Sequence, residues 1–391
     1  MESVCLHNGT VMTGFAAMER CAVLIENGLI SDVFSRRRFE QRHFGPDTQI
    51  IDVQDSVIAP GFIDTHIHGF GGYGTEDASA ESVLRMSQLL VQHGVTAFNP
   101  TLYPDEPARL LEVVREVASA MGREEGARIM GLHLEGPFIS PDRLGVMKSV
   151  AVQPVSMEFM EKLWEVSGGR IVNMTVAPEL KGMRELALFC LKKGIVLQAG
   201  HTNAKYENMV EGMQAGILHS THLFNAMSRM DHRNPNAAGA ILIHPEMSCE
   251  IIADGFHLHP VLYRLLLRDK SIDKIVLITD SLKPTEQDKG PFVANGDEII
   301  FRDGVFYRRE DDVMAGSALT MIRGVQNLVN FGFRLEDAVR TASFNPAQIM
   351  RYRNKGSIVP GCDADLVVFD RSFRVLAVTA GGIVKKNLFY D

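Results

Sequence analysis

PGFIDTHIHGFGG, residues Pro60 to Gly72, is a short apolar run that ends in two histidines and several glycines. If the run is a β-strand, the alternation of side chains places His66 and His68 on the same face. The glycines that follow allow the chain to turn tightly. Taken alone, the pattern fits a strand with two structural polar residues as well as it fits half of a metal site.

Seven more short apolar runs follow along the chain, and stretches of helical pattern separate them. The runs are Val95–Thr101, Arg128–Gly136, Arg170–Glu179, Gly194–His201, Gly216–Asn225, Cys249–Gly255 and Lys274–Asp280. Eight strands that alternate with helices over about 290 residues are typical of a (β/α)8 barrel. We therefore predict an α/β fold in which a TIM-like barrel forms most of the chain.

Both chain ends have a different pattern, in which β-branched runs are separated by Asn-Gly, Gly and Pro turn signals. Examples are CAVLIENGLISDVF at 21–34 and GSIVPGCDADLVVFD at 356–370. Although these ends are distant in sequence, they can pair into one small β-sandwich domain beside the barrel. We predict the following division: sandwich in 1–58 and 357–391, barrel in 59–356.

Composition and charge exclude several classes of protein. A hydrophobic fraction of 46% over 391 residues supports a large core, and a net charge of −8 argues against general binding of nucleic acids. The five cysteines are scattered and contain no C-x-x-C pair, as expected for reduced thiols in the cytosol. Without a signal-peptide pattern or a bilayer-length apolar run, we expect a cytoplasmic protein with no nucleic-acid or membrane partner.

Chemistry in a (β/α)8 barrel takes place at the carboxyl ends of the strands. Six of the eight predicted strands end in side chains able to bind a metal or transfer a proton: His66 and His68, Glu135 with His133, His201, His222, Asp254 with His257, and Asp280. Each alone is more often a hydrogen-bonded structural residue or a helix cap. Because these ends face one cup, their convergence predicts a catalytic divalent-metal site with an open position for water.

Two further histidines fit this site less well. His219 lies three residues before His222, so on a strand it points to the opposite face. His133 has the same parity as Glu135 but lies one layer deeper in the barrel. We expect a structural role for His219 and a packing or supporting role for His133.

These residues resemble the amidohydrolase superfamily of metal-dependent hydrolases, whose members often carry a small β-sandwich made from both chain ends. Finer motifs are similar to those of the N-acetylglucosamine-6-phosphate deacetylase family, and they occur in the expected order over nearly the whole chain. They are GLHLEGPFISP (Gly131–Pro141), GHTNA (Gly200–Ala204), THLFNAM (Thr221–Met227), ADGFHLHP (Ala253–Pro260) and AGSALTM (Ala315–Met321).

The resemblance implies a metal-ligand set and a proton-transfer group. The catalytic metal would be held by Glu135, His201 and His222, and a second ion by His66 and His68. We expect one or two divalent ions per subunit, zinc first, with iron, cobalt or manganese as alternatives. Asp280 would take a proton from water and return it to the departing sugar nitrogen, because an amine leaves readily only when protonated.

The resemblance also implies residues that bind an amino-sugar phosphate, and it implies a homodimer. Contacts to the substrate would come from Asn225, Ala226, Arg233, His257, Met314, Ala315, Gly316 and Ser317. Within this set, the guanidinium of Arg233 would pair with the phosphate, because its planar fork can meet two phosphate oxygens. By itself Arg233 is better explained as an ordinary surface residue. For Asn225, a helix N-cap is an alternative.

Two departures from the family pattern concern the substrate pocket. LGVMKS puts Met147 where the family has a polar side chain near the substrate. Methionine cannot donate a hydrogen bond, so this contact is either lost or supplied by Lys148. SLKPTEQDKGPF places Lys283 where an Ala/Gly-rich loop is usual. Both departures leave the predicted hydrolytic centre intact and bear on sugar specificity.

The predicted reaction is hydrolysis of the N-acetyl group of N-acetyl-D-glucosamine 6-phosphate, with release of acetate. One alternative is the same reaction on N-acetylgalactosamine 6-phosphate, and another is an amidohydrolase for other N-acyl or cyclic amide substrates. Those enzymes commonly use a carboxylated lysine after strand four, where this chain reads TVAPE (Thr175–Glu179). A non-catalytic binding protein on the same fold would lack ligands, and none is missing here.

Overall fold

The computed structural model describes residues 3–389 of the chain, so the first two and last two residues of the predicted sandwich lie outside the described residues. Strands from both chain ends form one sheet, and its eight members are β1 (Ser3–Met12), β2 (Ala17–Glu26), β3 (Leu29–Ser35), β4 (Thr48–Asp52), β5 (Val57–Pro60), β20 (Leu366–Phe369), β21 (Val375–Ala380) and β22 (Ile383–Asn387). The N-terminal and C-terminal parts meet where β5 pairs with β20 in antiparallel fashion, with Val57 opposite Phe369. Alternating apolar residues of both parts, such as Val23 and Leu366, share one core.

All eight predicted barrel strands are present, and strands that are consecutive in the barrel pair in parallel from the first to the eighth. They are β6 (Phe62–Ile67), β9 (Val95–Leu102), the split third strand β10 (Arg128–Ile129) and β11 (Leu132–Glu135), β12 (Ile171–Val176), β13 (Val196–Ala199), β14 (His219–Ser220), β15 (Ser248–Ile252) and β16 (Ile275–Ile278). Gly131 interrupts the third strand with a φ of +154°, a backbone angle that favours glycine. The predicted α/β barrel with a separate β-sheet domain is confirmed.

The barrel closes at its functional end through the loop after β16. Between β16 and β6 there is no regular ladder among the described residues, but the Asp280 N–H donates to His66 O at 2.9 Å. Below that bond, the Thr279 hydroxyl donates to the buried Asp64 carboxylate at 2.6 Å. The closure therefore joins the first and last strands directly beneath the predicted catalytic residues.

Helices surround the barrel and pack their apolar faces on its outer surface. Their bounds are α1 (Arg36–Gln41, beside the sheet), α2 (Ala80–Leu90), α3 (Pro107–Ser119), α4 (Met157–Val166), α5 (Met183–Lys193), α6 (Tyr206–Gln214), α7 (Asn236–Ile243), α8 (Leu262–Asp269), α9 (Met321–Asn330), α10 (Leu335–Ala342) and α11 (Phe344–Ile349). Over residues 3–389, none of the helices combines the length and the apolar character needed to cross a bilayer.

Two small antiparallel units sit at the carboxyl end of the barrel, and sequence reasoning predicted neither. One is the hairpin β7 (Gly69–Phe70) and β8 (Tyr73–Gly74); the other is a three-stranded insert, β17 (Phe292–Ala294), β18 (Asp297–Arg302) and β19 (Val305–Arg308). The insert buries Phe306 in an apolar cluster with Met147, Tyr103 and Leu282. It therefore forms part of the wall above the strand ends.

Candidate active site

Glu135, the last residue of β11, lies at the centre of the site. Its Oε1 faces three imidazole nitrogens: His222 Nε2 at 3.0 Å, His201 Nε2 at 3.1 Å and His66 Nε2 at 3.4 Å. Its Oε2 lies 3.0 Å from His68 Nε2. All five side chains are buried, so the four predicted histidines converge on one carboxylate at the mouth of the barrel.

The potential ligand atoms fall into two groups. Glu135, His201 and His222 form one, and His66, His68 and Asp280 form the other; within each group the nitrogen and oxygen atoms lie within 4.8 Å of one another. This division is the one that sequence reasoning expected for two ions, with Asp280 added to the second group. Imidazole and carboxylate donors in such groups suit zinc and other divalent transition metals.

The arrangement fits a bound cation better than it fits a set of hydrogen bonds. His66 Nε2 is buried, faces Glu135 and Asp280, and has no hydrogen-bond partner within residues 3–389. A buried polar atom without a partner is costly, and a cation between these groups would satisfy it. Burial alone would raise the pKa of Glu135, but the charge of His66 and the contacts from His201 and His222 outweigh burial and hold that pKa well below its usual range.

Backbone carbonyls orient two of the imidazoles toward the centre. The His68 Nδ1 lies 3.1 Å from Thr101 O, and the His201 Nδ1 lies 3.0 Å from Arg143 O. A carbonyl only accepts, so each Nδ1 carries the hydrogen and each Nε2 presents its lone pair to the site. The ring of Tyr103 stacks on His68 with centroids 3.8 Å apart and fixes that ring further.

Asp280, a member of the second group, has its backbone in an uncommon conformation. Its Oδ1 lies 3.4 Å from His68 Nε2 and 3.5 Å from His66 Nε2. Its φ is +51°, and His201 and Ala226 also have positive φ values of +45°. Non-glycine residues with positive φ are uncommon and gather at functional sites, where surrounding contacts hold them in place.

A cavity of about 210 Å³ opens from this centre to the surface. Six of the predicted substrate-binding residues line it: Met147, Asn225, Ala226, His257, Met314 and Gly316. The Asn225 amide group donates to the carbonyls of His222 and Leu223 at 3.3 and 3.2 Å, which ties its side chain to the turn after β14.

Three other predicted substrate residues do not line the cavity. Arg233 is exposed in the loop before α7, where its backbone N–H donates to Asp231. Ala315 is buried, and its N–H donates to Phe306 of the insert. Ser317 is buried beneath Asp280: its N–H donates to Asp280 O at 2.7 Å, so it supports the backbone of the predicted proton-transfer residue.

His257 reaches the cavity from the loop after β15. Its Nδ1 lies 2.7 Å from Asp254 Oδ2, and that carboxylate also accepts the His257 backbone N–H at 2.9 Å. Burial alone would lower the pKa of His257, but the hydrogen bond and charge of Asp254 outweigh burial and raise that pKa. The pair therefore favours a cationic imidazole at one side of the cavity.

The departures noted in the sequence lie around the cavity in different ways. Met147 is buried against Tyr103 and Leu282 and lines the cavity with apolar atoms. Lys148 is exposed and lines a neighbouring pocket, while Lys283 forms an ion pair with Asp77 at 2.5 Å. Neither lysine lines the cavity.

Sequence reasoning missed two residues of the site. Tyr103 follows the second strand directly, so the strand-end rule could have found it, but a tyrosine gives no metal-ligand signal. Glu250 lies inside β15, two residues before the strand ends, and its buried carboxylate lies 3.0 Å from His66 Nδ1. His133 is hydrogen bonded to Thr101 and Thr175, and His219 to Ser248. The other nitrogen of His219, Nε2, lies 3.7 Å from Glu250 Oε1, so this ring also reaches the barrel interior below the site.

The model of the amidohydrolase family matches residues 57–385. The chain belongs to the amidohydrolase family. Among curated relatives, the N-acetylglucosamine-6-phosphate deacetylase of Bacillus subtilis is 33% identical over 387 residues, covering 97% of this chain and 96% of that protein. The N-acetylgalactosamine-6-phosphate deacetylase of a Shewanella strain is 30% identical, covering 95% of this chain and 93% of that protein.

Solved structures agree with this membership of the amidohydrolase family. A mutant of N-acetyl-D-glucosamine-6-phosphate deacetylase from Mycobacterium smegmatis, in complex with N-acetyl-D-glucosamine-6-phosphate, superposes with a TM-score of 0.91 at 28% identity. The match covers 99% of this chain and 100% of that one. An enamidase of the same superfamily, at 15% identity and a TM-score of 0.66, shares the fold.

Proposed function

We propose that this chain is a metal-dependent deacetylase that hydrolyses the N-acetyl group of N-acetyl-D-glucosamine 6-phosphate to glucosamine 6-phosphate and acetate. The observation that carries the proposal is the convergence of Glu135, four histidines and Asp280 at the mouth of the barrel. Relatives named N-acetylglucosamine-6-phosphate deacetylase align with almost the entire chain, which supports the substrate.

Two sets of residues would hold the metal. Glu135, His201 and His222 form the first, and His66 with His68 the second, so that one or two ions are accommodated. We propose zinc, because tetrahedral sites of imidazole and carboxylate are typical for it, with iron, cobalt or manganese as alternatives. A bound divalent ion supplies Lewis acidity that lowers the pKa of water and polarises a carbonyl.

Asp280 would carry the proton through the reaction. Its carboxylate lies at the cavity wall, next to His68 and opposite Glu135, so it can reach a water molecule above the ligand groups. It accepts the proton when that water attacks the acetyl carbon. It then donates the same proton to the amide nitrogen, because the sugar amine leaves readily only when protonated.

The opposite side of the cavity would bind the sugar phosphate. The cavity lining includes Asn225, Ala226 and His257, and the carboxylate of Asp254 raises the pKa of the His257 imidazole despite its burial. Backbone groups of 314–317 would close over the sugar, with Met314 and Gly316 at the cavity surface. Arg233 would reach the phosphate only if its loop moves toward the cavity or if a partner subunit presents it, so its role stays a prediction.

An N-acetylgalactosamine 6-phosphate substrate is the second candidate, because a relative with that named activity is 30% identical over nearly the whole chain. The two sugars differ in the orientation of one hydroxyl. Met147 puts apolar atoms at the wall where the family has a polar side chain, so the preference between the two sugars depends on contacts outside the hydrolytic centre.

A homodimer and a cytoplasmic location complete the proposal. Family resemblance supports the dimer. The absence of a membrane-crossing helix in residues 3–389 is compatible with the cytoplasm, as are five cysteines without a disulfide in that range.

The test is a comparison of substrates on the zinc-loaded protein. We expect acetate release from N-acetylglucosamine 6-phosphate with a kcat/KM at least about tenfold above that for N-acetylgalactosamine 6-phosphate, a difference of about 1.4 kcal/mol. The reverse ratio would favour the second candidate. Hydrolysis of an N-acyl amino acid without hydrolysis of either sugar phosphate would contradict both.

A further inference from the structure

Glu250 is a fully buried carboxylate in the barrel interior, one layer below the ligand groups. Its Oε2 lies 3.0 Å from His66 Nδ1. Its Oε1 accepts a hydrogen bond from the Gln198 amide at 3.1 Å and one from the Thr65 hydroxyl at 3.4 Å. A buried carboxylate is costly unless it is paired, so its retention inside the barrel requires an explanation.

A chain of hydrogen bonds across the barrel ends on this carboxylate. The Tyr352 hydroxyl donates to Asn99 at 2.7 Å, and the Asn99 amide donates to Asn173 at 3.1 Å. The Asn173 amide donates to Gln198 at 3.1 Å, and Gln198 donates to Glu250. Every link donates in the same direction, because an amide oxygen only accepts. Glu250 is therefore the acceptor at the end of the chain.

The Glu250 carboxylate determines the state of the His66 ring. Because the Glu250 oxygen that faces the ring is also an acceptor, Nδ1 must carry the hydrogen. In the neutral ring that binds a cation, the lone pair then lies on Nε2, which is buried, has no hydrogen-bond partner within residues 3–389, and faces Glu135 and Asp280. The two ring nitrogens of His66 thus have different roles: Nδ1 donates to Glu250, and Nε2 is available to a cation.

We propose that Glu250 is a positioning residue that holds His66 in the tautomer and ring orientation required to bind a cation together with His68 and Asp280. The inference rests on the proposed function only in that His66 is a cation ligand there. Carboxylates that receive the second N–H of a ligating histidine strengthen metal binding in this way, and their loss typically weakens binding about 10- to 100-fold.

The variant Glu250→Gln distinguishes a positioning role from a purely packing role, because glutamine has nearly the same volume as glutamate but presents a donor group. The Gln198 amide still requires an acceptor, so the new amide oxygen remains on that side and the new NH₂ group faces His66 Nδ1. The ring then has to accept at Nδ1 and carry its hydrogen on Nε2, where a hydrogen blocks ligation. Glu179→Gln is the matched control, because Glu179 also accepts hydrogen bonds, from Thr202 and Asn203, but belongs to neither ligand group.

The first measurement is calorimetric titration of metal-free protein with Zn²⁺, in the absence of sugar. We expect Glu250→Gln to weaken zinc binding at one site about 10- to 100-fold, while the Glu179→Gln control binds as the wild type does. In a His66→Ala background, Glu250→Gln should cause no further loss, because its effect passes through His66. Unchanged zinc binding in Glu250→Gln, an equal additional loss in the His66→Ala background, or normal binding by His66→Ala would each overturn the proposal.

The second measurement does not depend on the folding of any Glu250 variant. Nitrogen-15 spectra of histidine in the metal-free wild-type protein report which nitrogen of each ring carries the hydrogen, and His66→Ala identifies the signal. We expect hydrogen on Nδ1 of His66, where Glu250 accepts it; a ring that carries hydrogen on Nε2 and none on Nδ1 would overturn the proposal. Neither experiment uses the sugar, so a failure here is distinct from a failure to release acetate.

Discussion

The proposed metal centre and the proposed substrate wall both line one cavity, but they are built from different parts of the chain. Glu135, His66 and the other proposed ligands lie within two residues of the ends of barrel strands, and they are buried. The substrate wall comes from loops and from the three-stranded insert, with Met147 and His257 as examples. Strand geometry dictates direction in the first region, whereas loop packing dictates it in the second.

This difference determines how each region should respond to mutation. At the metal centre, each side chain meets several others, so a single change disturbs the whole group. On the substrate wall, contacts are separate, and the effects of substitutions should be smaller and specific to binding. The following changes test that contrast.

Glu135→Ala should have the largest effect. Because its two oxygens face both ligand groups, we expect loss of bound metal and a fall in kcat/KM of about 10⁴-fold or more. Metal analysis and acetate release on the same sample provide the measurement. Glu161→Ala, at an exposed position of α4, is the control and should retain both. Retention of metal by Glu135→Ala would contradict the proposal that both ligand groups depend on Glu135.

Asp280→Asn should abolish proton transfer but leave most of the metal in place, because Glu135, His201 and His222 do not include it. We expect kcat to fall by about 10²- to 10⁴-fold, the usual contribution of general acid–base catalysis. Single-turnover acetate release with parallel metal analysis measures both properties. Turnover near the wild-type rate would remove Asp280 from its proposed role.

Arg233→Ala tests the substrate wall at a residue that lies outside the cavity. If its guanidinium meets the phosphate, KM for the phosphorylated sugar should rise about 10- to 100-fold with little change in kcat, as expected for a lost charged hydrogen bond. Arg229→Ala in the same exposed loop is the control. An equal change for unphosphorylated N-acetylglucosamine would count against recognition of the phosphate.

Asp254→Asn tests the charge of His257. Because Asp254 raises the pKa of His257, the imidazole stays cationic to a higher pH, and affinity for the phosphate should fall as pH rises through that raised pKa. Without the carboxylate, the pKa of His257 should be lower, so the fall in affinity should occur at a lower pH than in the wild type. A pH series of KM gives the result, and an unshifted profile would show that His257 does not meet the phosphate as a cation.

Met147→Leu should have the smallest effect. The side chain fills an apolar cluster with Tyr103 and Leu282, and leucine conserves its volume, so we expect kcat/KM within about threefold of the wild type. Steady-state kinetics on both epimeric sugar phosphates measures it. A large change in the ratio between the two sugars would make Met147 a determinant of specificity.

The sequence predicted the fold, and it predicted which potential ligand side chains lie together, because both depend on repeated local rules. Alternation along β6 placed His66 and His68 together, and parallel strands brought Glu135 and His201 to the same edge. The sequence did not indicate a role for Glu250, because this residue lies within a buried strand and its partner His66 lies across the barrel. The sequence did not predict the β17–β19 insert, because its strands are short and its apolar residues pack with residues that are distant in sequence.

The prediction of the substrate wall was less complete for a related reason. Ser317 was expected to close over the sugar, yet it is buried and donates to the backbone of Asp280. Arg233 was expected at the phosphate, yet its side chain is exposed outside the cavity. The orientation of a side chain in a loop depends on tertiary packing and on its hydrogen-bond partners. The hydrophobic periodicity of the sequence does not encode either of them.

The most direct test of the central claim is acetate release from N-acetylglucosamine 6-phosphate before chelation, after chelation and after restoration of zinc. We predict one acetate per glucosamine 6-phosphate formed by the loaded protein, loss of release after chelation, and recovery when zinc is restored. Acetate release by the metal-free protein, or none by the loaded protein, would contradict metal-dependent deacetylation at the strand ends.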